Sequence, residues 1–108
     1  MTAAAGRVGG ADAPPPLLRE VRPELAAELE ELLRGASEER LARSVPGLRV
    51  HGRCRCGEAG CASLYTAPPP EGGYGPGHRN LVLPWEPGML VLDVVDGRIA
   101  FLEVLPDG

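Results

Sequence analysis

Residues 89–105, MLVLDVVDGRIAFLEVL, decide the fold because they contain two apolar segments around a two-residue turn. Asp96-Gly97 is a strong signal for a β-hairpin, since a type I′ turn needs a positive φ at both central residues. A two-residue loop gives these cross-strand pairs: Val94 with Ile99, Leu92 with Phe101, Val91 with Leu102 and Asp93 with Ala100. Both faces are then largely apolar, so we expect this hairpin at the centre of a sheet.

Two helices are predicted before the hairpin. Arg22-Pro23-Glu24 begins the first, because proline suits the first helical position and glutamate lies favourably at the positive end of the helix dipole. Four leucines form one apolar stripe along it: Leu25, Leu29, Leu32 and Leu33. We expect Gly35 to end this helix in the left-handed conformation, and Ser37 to cap a shorter helix that ends at Pro46-Gly47.

Between the helices and the hairpin, the apolar residues recur with the period of a strand. In residues 48–56, apolar or small residues alternate with Arg49, His51, Arg53 and Arg55, which predicts one apolar and one basic face. Residues 57–60 predict a turn, residues 61–66 a returning strand, and residues 80–83 a short strand stopped by Pro84. The sequence therefore predicts an α+β fold, with two N-terminal helices packed on a small, mostly antiparallel sheet of about five strands.

Glycine and proline supply 15 and 12 of the 108 residues, and they concentrate in two segments. Residues 1–16 predict a disordered leader that lacks the apolar stretch of a secretory signal. In residues 67–77, eight of eleven residues are Gly or Pro, which predicts a long loop inside a single domain, residues 17–108. No apolar run approaches the roughly 18 residues of a membrane span. Three cysteines without an export signal predict a cytoplasmic protein.

The cysteines mark the segment where chemistry is most concentrated. A turn at residues 57–60 gives two opposed pairs: Cys56 with Cys61 and Cys54 with Ser63. The three thiols then converge on one patch, and three soft ligands on a glycine turn fit a zinc site. His78 from the loop, or His51, would be the fourth ligand. Zinc is the one cofactor that the sequence suggests.

Two other interpretations compete with zinc. The cysteines lie on the apolar side of their strand, where a thiol packs as a small hydrophobe, and C-x-C-x₄-C is not an established zinc spacing. Packing is therefore favoured over metal binding. A redox-active thiol is the third interpretation, because Arg53 and Arg55 would favour the thiolate.

Arginine is concentrated in one part of the chain. Residues 40–55 carry five arginines and no acidic residue, whereas residues 20–39 carry seven acidic residues. Arg53 and Arg55, with His78 and Arg79 at the loop end, are the candidate binding residues for an acidic group. A nucleic-acid partner is disfavoured by the net charge of −4 and by the scarcity of aromatic residues nearby. The alternative is that the loop end is simply anchored, with Arg79 paired to Asp93.

Three motifs carry a family resemblance: VPGLRVHGRCRCGEAGCASLYT, GPGHRN and GMLVLDVVDG. They resemble a family of small uncharacterised proteins, mainly from actinobacteria, over residues 41–105. The family has an aromatic residue where this chain has Leu64, a difference that affects packing. The resemblance implies a compact domain, and no activity comes with it.

These observations favour a non-catalytic module that binds another macromolecule. An apolar two-faced hairpin needs a second covering layer or a partner, and that partner is an unidentified protein or a second copy of the chain. A zinc-binding module built on Cys54, Cys56 and Cys61 is the alternative, and a thiol-based redox protein is a further one.

Overall fold

The computed structural model describes residues 14–54, 61–85 and 88–105, which form an α+β fold. The helices are α1 (Leu18–Val21), α2 (Pro23–Gly35) and α3 (Glu39–Ser44), followed by a 3₁₀ turn at Val45–Gly47. The strands are β1 (Gly52–Arg53), β2 (Leu64–Tyr65), β3 (His78–Trp85), β4 (Gly88–Val95) and β5 (Arg98–Leu105). All neighbours in the sheet are antiparallel, in the order β1-β2-β5-β4-β3. No described helix has the length and apolarity to cross a membrane.

Helix α2 follows its predicted stripe but ends differently. Leu25, Leu29 and Leu33 are buried, and Pro23 occupies the first turn. Gly35 stays within the helix, and the left-handed residue is Ser37, with φ at 64°. The Glu38 amide then donates to the Leu33 carbonyl at 2.8 Å, as in a Schellman motif. The predicted cap at Gly35 is therefore wrong, and Ser37 makes no side-chain cap on α3.

The folded part of the chain begins before the predicted boundary at residue 17. The Arg49 guanidinium donates to the Pro15 carbonyl at 2.6 Å, and the Val50 amide donates to the Pro16 carbonyl at 2.8 Å. These bonds hold the chain in place ahead of α1, a short helix that the sequence did not predict. Residues 1–13 of the predicted leader lie outside the described residues.

The central hairpin contains a β-bulge that the Asp96-Gly97 turn does not predict. Val94 lies opposite Ile99 as predicted, but the register shifts between Asp93 and Val94, leaving Ala100 as an extra residue. Beyond it the pairs are Asp93 with Phe101, Leu92 with Leu102 and Val91 with Glu103. The predicted pairs beyond Val94 were therefore wrong by one residue.

The bulge decides which face of the sheet each β5 side chain occupies. With it, Leu102 and Val104 are buried on the same face as Leu90 and Leu92 of β4. A one-residue slip would turn every later side chain over, and Glu103 would enter the core. The bulge therefore keeps a carboxylate out of the protein interior.

Both hairpin strands are internal in the sheet, as predicted, and β3 is an edge strand that runs through Pro84 to Trp85. The predicted stop at Pro84 was wrong because an edge strand tolerates proline where its nitrogen faces away from the sheet. Within residues 48–54, the predicted strand at residues 48–56 is reduced to Gly52–Arg53 and a bridge from Arg49 to Leu17, and residues 55–56 lie outside the described part of the chain.

All three helices pack on one face of the sheet, which we call the inner face. The core combines leucines of that face with apolar helix residues: Leu64, Leu83, Leu90, Leu92 and Leu102 with Leu18, Leu25, Leu29, Leu33, Leu41 and Val45. Two side-chain interactions connect the β3 edge to the helical layer. The Trp85 indole donates to Glu28 at 2.9 Å, and Arg79 forms an ion pair with Glu38 at 3.1 Å. The opposite, outer face has no helix on it among the described residues.

Deleting Ala100 and Phe101 together tests the importance of the register that the bulge sets. Deleting Ala100 alone leaves Phe101 opposite Asp93, so every later side chain keeps its face. Deleting both residues shifts β5 by one residue, so the strand must either bury Glu103 or lose its pairing with β4. Burying an unpaired carboxylate costs several kcal/mol, against a total stability of about 5–15 kcal/mol for a domain. We expect the double deletion to lose its cooperative urea transition, measured by circular dichroism, and the deletion of Ala100 alone to keep it. Equal damage from the two deletions would contradict this role of the register.

Candidate functional site: the outer face of the sheet

The structure describes two of the three cysteines of the predicted zinc site. The Cys54 amide donates to the Ser63 carbonyl at 2.9 Å, which continues the β1–β2 register and confirms the predicted opposition of Cys54 and Ser63. Cys54 and Cys61 are both half-buried, and Cys56 lies outside the described residues. Among residues 14–54, 61–85 and 88–105, no three His, Cys, Asp or Glu side chains gather closely enough to hold a metal ion.

His78 is not placed to be the fourth ligand of such a site. It begins β3, whereas Cys54 follows β1, and these strands form opposite edges of the sheet. Four strand spacings of about 4.8 Å separate the two edges, or about 19 Å. The histidine and the cysteines are therefore separate features.

The predicted anion-binding residues are likewise not brought together. Arg53 is exposed on β1, at the edge opposite His78, and Arg55 lies outside the described residues. His78 and Arg79 are successive residues of one strand, so their side chains leave opposite faces of the sheet. Arg79 lies on the inner side and pairs with Glu38, not with Asp93 as the alternative interpretation proposed.

The outer face is built from cross-strand rows of side chains. The pairing register of β3, β4 and β5 gives three successive rows: His78, Val95 and Arg98; Asn80, Asp93 and Phe101; Val82, Val91 and Glu103. A fourth row holds Pro84, Met89 and Leu105, and Tyr65 of β2 extends the second row beyond Phe101. These rows divide the outer face into a polar end at His78 and an apolar end at Pro84.

A hydrogen-bond network on Asp93 organises the polar end. His78 Nε2 lies 2.6 Å from Asp93 Oδ1, and the Asn80 amide donates to the same oxygen at 2.7 Å. The Tyr74 ring lies 4.9 Å from the His78 ring, centroid to centroid. Residues 67–77, the predicted loop, therefore bring Tyr74 over this end of the face.

Burial makes the Tyr74 hydroxyl a weaker acid. Desolvation raises the pKa of Tyr74 above its usual value, and the negative charge of Asp93 and the neighbouring Tyr65 add to the effect. Tyr65 packs in turn on Phe101, with ring centroids 4.6 Å apart. Loop and sheet are therefore in close contact at the polar end.

The apolar end of the outer face is open. We name its five apolar residues the apolar patch: Val82, Pro84, Met89, Val91 and Leu105. Val82 is 57% exposed, Met89 41% and Leu105 36%, which is high for large apolar side chains in a sheet. Glu103 lies half-buried beside Val91, so a carboxylate borders the patch.

A groove at another place on the surface offers little for chemistry. It has a volume of about 370 Å³ and is bordered by Ser44, His51, Thr66 and Arg98 among others. The hydroxyls of Ser44 and Thr66 already donate to the carbonyls of Leu41 and Ile99. Neither hydroxyl is therefore activated as a nucleophile by a neighbouring base.

Sequence reasoning predicted an uncovered hairpin surface but not the residues that form it. The bulge moves Glu103 and Leu105 onto the outer face, and β3 adds Val82 because it continues past Asn80. The alternation of His78, Asn80, Val82 and Pro84 with apolar residues was a usable signal for this longer strand. Tyr74, the one aromatic residue of the glycine- and proline-rich loop, was a second signal.

No protein-family model, curated protein or solved structure matches this chain. The family resemblance of its motifs remains a prediction, as do the zinc and thiol interpretations of its cysteines.

Replacing Gly77 with alanine tests how the loop is fixed to the polar end. Gly77 has φ at 90°, its carbonyl accepts from the Asp96 amide at 3.0 Å, and a Cβ there would overlap the Asp96 carboxylate. We expect Gly77→Ala to lower the free energy of unfolding by about 1–3 kcal/mol in urea titrations. Gly75→Ala, with open space around it, should change stability by less than about 1 kcal/mol. Similar values for both would contradict this role.

Tyr74 predicts how stability depends on pH. A phenol with a raised pKa in the folded state keeps its proton where the unfolded chain has lost it. Stability from this group is complete below the unfolded pKa of about 10 and declines as pH rises further. We expect the melting temperature of the wild type to fall more steeply above about pH 10 than that of Tyr74→Phe. Parallel curves would show that Tyr74 is not the group involved. So would ultraviolet titrations in which Tyr74→Phe leaves the highest phenol pKa unchanged.

Proposed function

We propose that this protein is a non-catalytic binding module whose outer face binds a protein segment with apolar and basic side chains. The observation that supports this most directly is the apolar patch, which remains exposed although helices pack on the inner face of the same sheet. A domain that leaves apolar residues of its two longest internal strands in water has a surface suited to a partner.

The patch has the size and position of a docking surface. Its residues come from three adjacent strands and occupy two neighbouring rows, so they are contiguous. The central strand of the patch, β4, is paired on both sides, which gives a rigid surface and limits the ordering entropy lost on binding. The loop contacts the polar end and leaves these two rows open.

Charge indicates a basic partner. Glu103 lies beside the patch, and no described arginine or histidine forms an ion pair with it. The chain as a whole carries a net charge of −4. A lysine or arginine flanked by apolar side chains would pair with Glu103 while its neighbours cover the patch.

Two copies stacked patch to patch would fit this surface poorly. Such a contact would enclose the Glu103 carboxylates that border the two patches, and the patch residues supply no basic side chain to pair with them. A different protein that provides a basic residue at this position is therefore the better occupant.

Selection from a library of displayed random peptides tests the proposal. We expect the immobilised full chain to enrich peptides in which a lysine or arginine lies between apolar residues. Met89→Asp should weaken binding of an enriched peptide about tenfold or more, since it places a charge within the patch. Glu103→Gln should weaken it about two- to fivefold and reduce its salt dependence, as expected for one partly exposed ion pair.

The matched control is Val21→Asp, which changes another exposed apolar residue, on α1 and outside the apolar patch. It should leave peptide affinity, measured by calorimetry, unchanged. The proposal fails if no such peptides are enriched or if Met89→Asp and Val21→Asp have equal effects. It also fails if Met89→Asp dissociates the protein from a second copy of itself, because that copy would then be the occupant.

A further inference from the structure

We infer that two copies of this chain pair through the exposed edge of β3, antiparallel, to form one continuous sheet of ten strands. This inference concerns the sheet edge and goes beyond the proposed function, which concerns the outer face. The two edges of the five-stranded sheet differ greatly in length: β1 has two residues and β3 has eight. Between these two edges, as far as the structure describes them, only β3 is long enough to pair with another strand over several residues.

The direction of the β3 backbone groups follows from one hydrogen bond. The Asp96 amide donates to the Gly77 carbonyl, and the β3–β4 register then continues without a shift from His78 to Trp85. Hydrogen-bonded pairs alternate in an antiparallel ladder. Residues 79, 81, 83 and 85 therefore bond to β4, whereas residues 78, 80 and 82 direct their N–H and C=O groups away from the sheet.

Pro84 is compatible with this arrangement. It is an even-numbered residue, so its nitrogen also faces away from β4, and the ladder inside the domain loses no donor. Its carbonyl remains an acceptor for a strand added at the edge, and the Val82 and Asn80 positions keep both donor and acceptor. The proline therefore shortens the exposed edge at one end without closing it.

Charge complementarity favours a second copy as the added strand. The two ends of β3 differ on the inner side: Arg79, whose side chain is 49% exposed, lies at one end, and Trp85 with its bonded Glu28 lies at the other. Antiparallel pairing about a twofold axis brings Arg79 of one copy to the Trp85 and Glu28 end of the other, twice per dimer. Arg79 keeps its bond to Glu38 and gains there a second acidic neighbour and an indole face.

Edge pairing would also enlarge the proposed docking surface. A twofold axis perpendicular to the sheet keeps both outer faces on the same side of the molecule. Val82, the most exposed apolar residue of the patch, lies on the edge strand, so the two patches would meet at the new junction. The dimer would then present one apolar surface of about twice the area, bordered by two Glu103 carboxylates.

Analytical ultracentrifugation of the full chain and of two variants at position 82 tests this inference. We expect the wild type to sediment at twice its chain mass of 11.3 kDa at high concentration. Val82→Pro should sediment as a monomer, because it removes an outward N–H while the ladder with β4 is retained. Val82→Lys should also be monomeric, since a charged side chain on the edge opposes pairing. Circular dichroism spectra should show that both variants fold.

Leu105→Lys, which changes another exposed apolar residue on the internal strand β5, is the matched control and should remain dimeric. A wild type that is monomeric at every concentration overturns the inference, as does a dimer that survives both changes at Val82. Peptide binding separates this result from the proposed function. Met89→Asp should lose peptide binding and stay dimeric, because Met89 lies in the patch but on the internal strand β4. A dimer that is lost with Met89→Asp instead would place the contact on the outer face and overturn edge pairing.

Discussion

The bulge at Ala100 is the constraint on which both faces of the sheet depend. Side chains alternate along a strand, so a one-residue bulge places every later side chain of β5 on the face opposite to the one that a regular ladder of the same sequence would give it. With the insertion, Leu102 and Val104 complete the core under the helices, and Glu103 and Leu105 lie on the outer face. The same bulge therefore keeps the Glu103 carboxylate out of the core and places it beside an exposed apolar patch. Stability and the proposed binding surface have one structural origin.

The local features of the fold could be predicted, and its long-range arrangement could not. The leucine stripe of α2, the Asp96-Gly97 turn and the Cys54–Ser63 opposition depend on neighbouring residues and were confirmed. The bulge was missed because a two-residue turn fixes the register only for the first pairs, and burial of Leu102 instead of Glu103 decides the rest.

The candidate site was missed in part for the same reason. His78 was assigned to the cysteines because it follows them in the sequence, but strand order is set by pairing between distant segments. β5 inserts between β2 and β4, which carries β3 and His78 to the far edge of the sheet. An uncovered hairpin surface could be predicted from the sequence, and a partner for it stays a prediction. Which side chains are uncovered depends on the bulge and on the length of β3, and both are settled by packing.

The glycine- and proline-rich loop has a geometric explanation in this topology. β2 and β3 are consecutive in the chain but are separated in the sheet by β5 and β4, so their connection must span three strand spacings, about 14 Å. The contacts of Tyr74 with His78 show that this connection passes on the outer side. It joins the start of β3, and it therefore covers the polar end, where Asp93 holds His78 and Asn80. The apolar end lies beyond its path, because β3 runs away from the loop toward Trp85. The connection that completes the sheet thus determines which half of the outer face stays open to a partner.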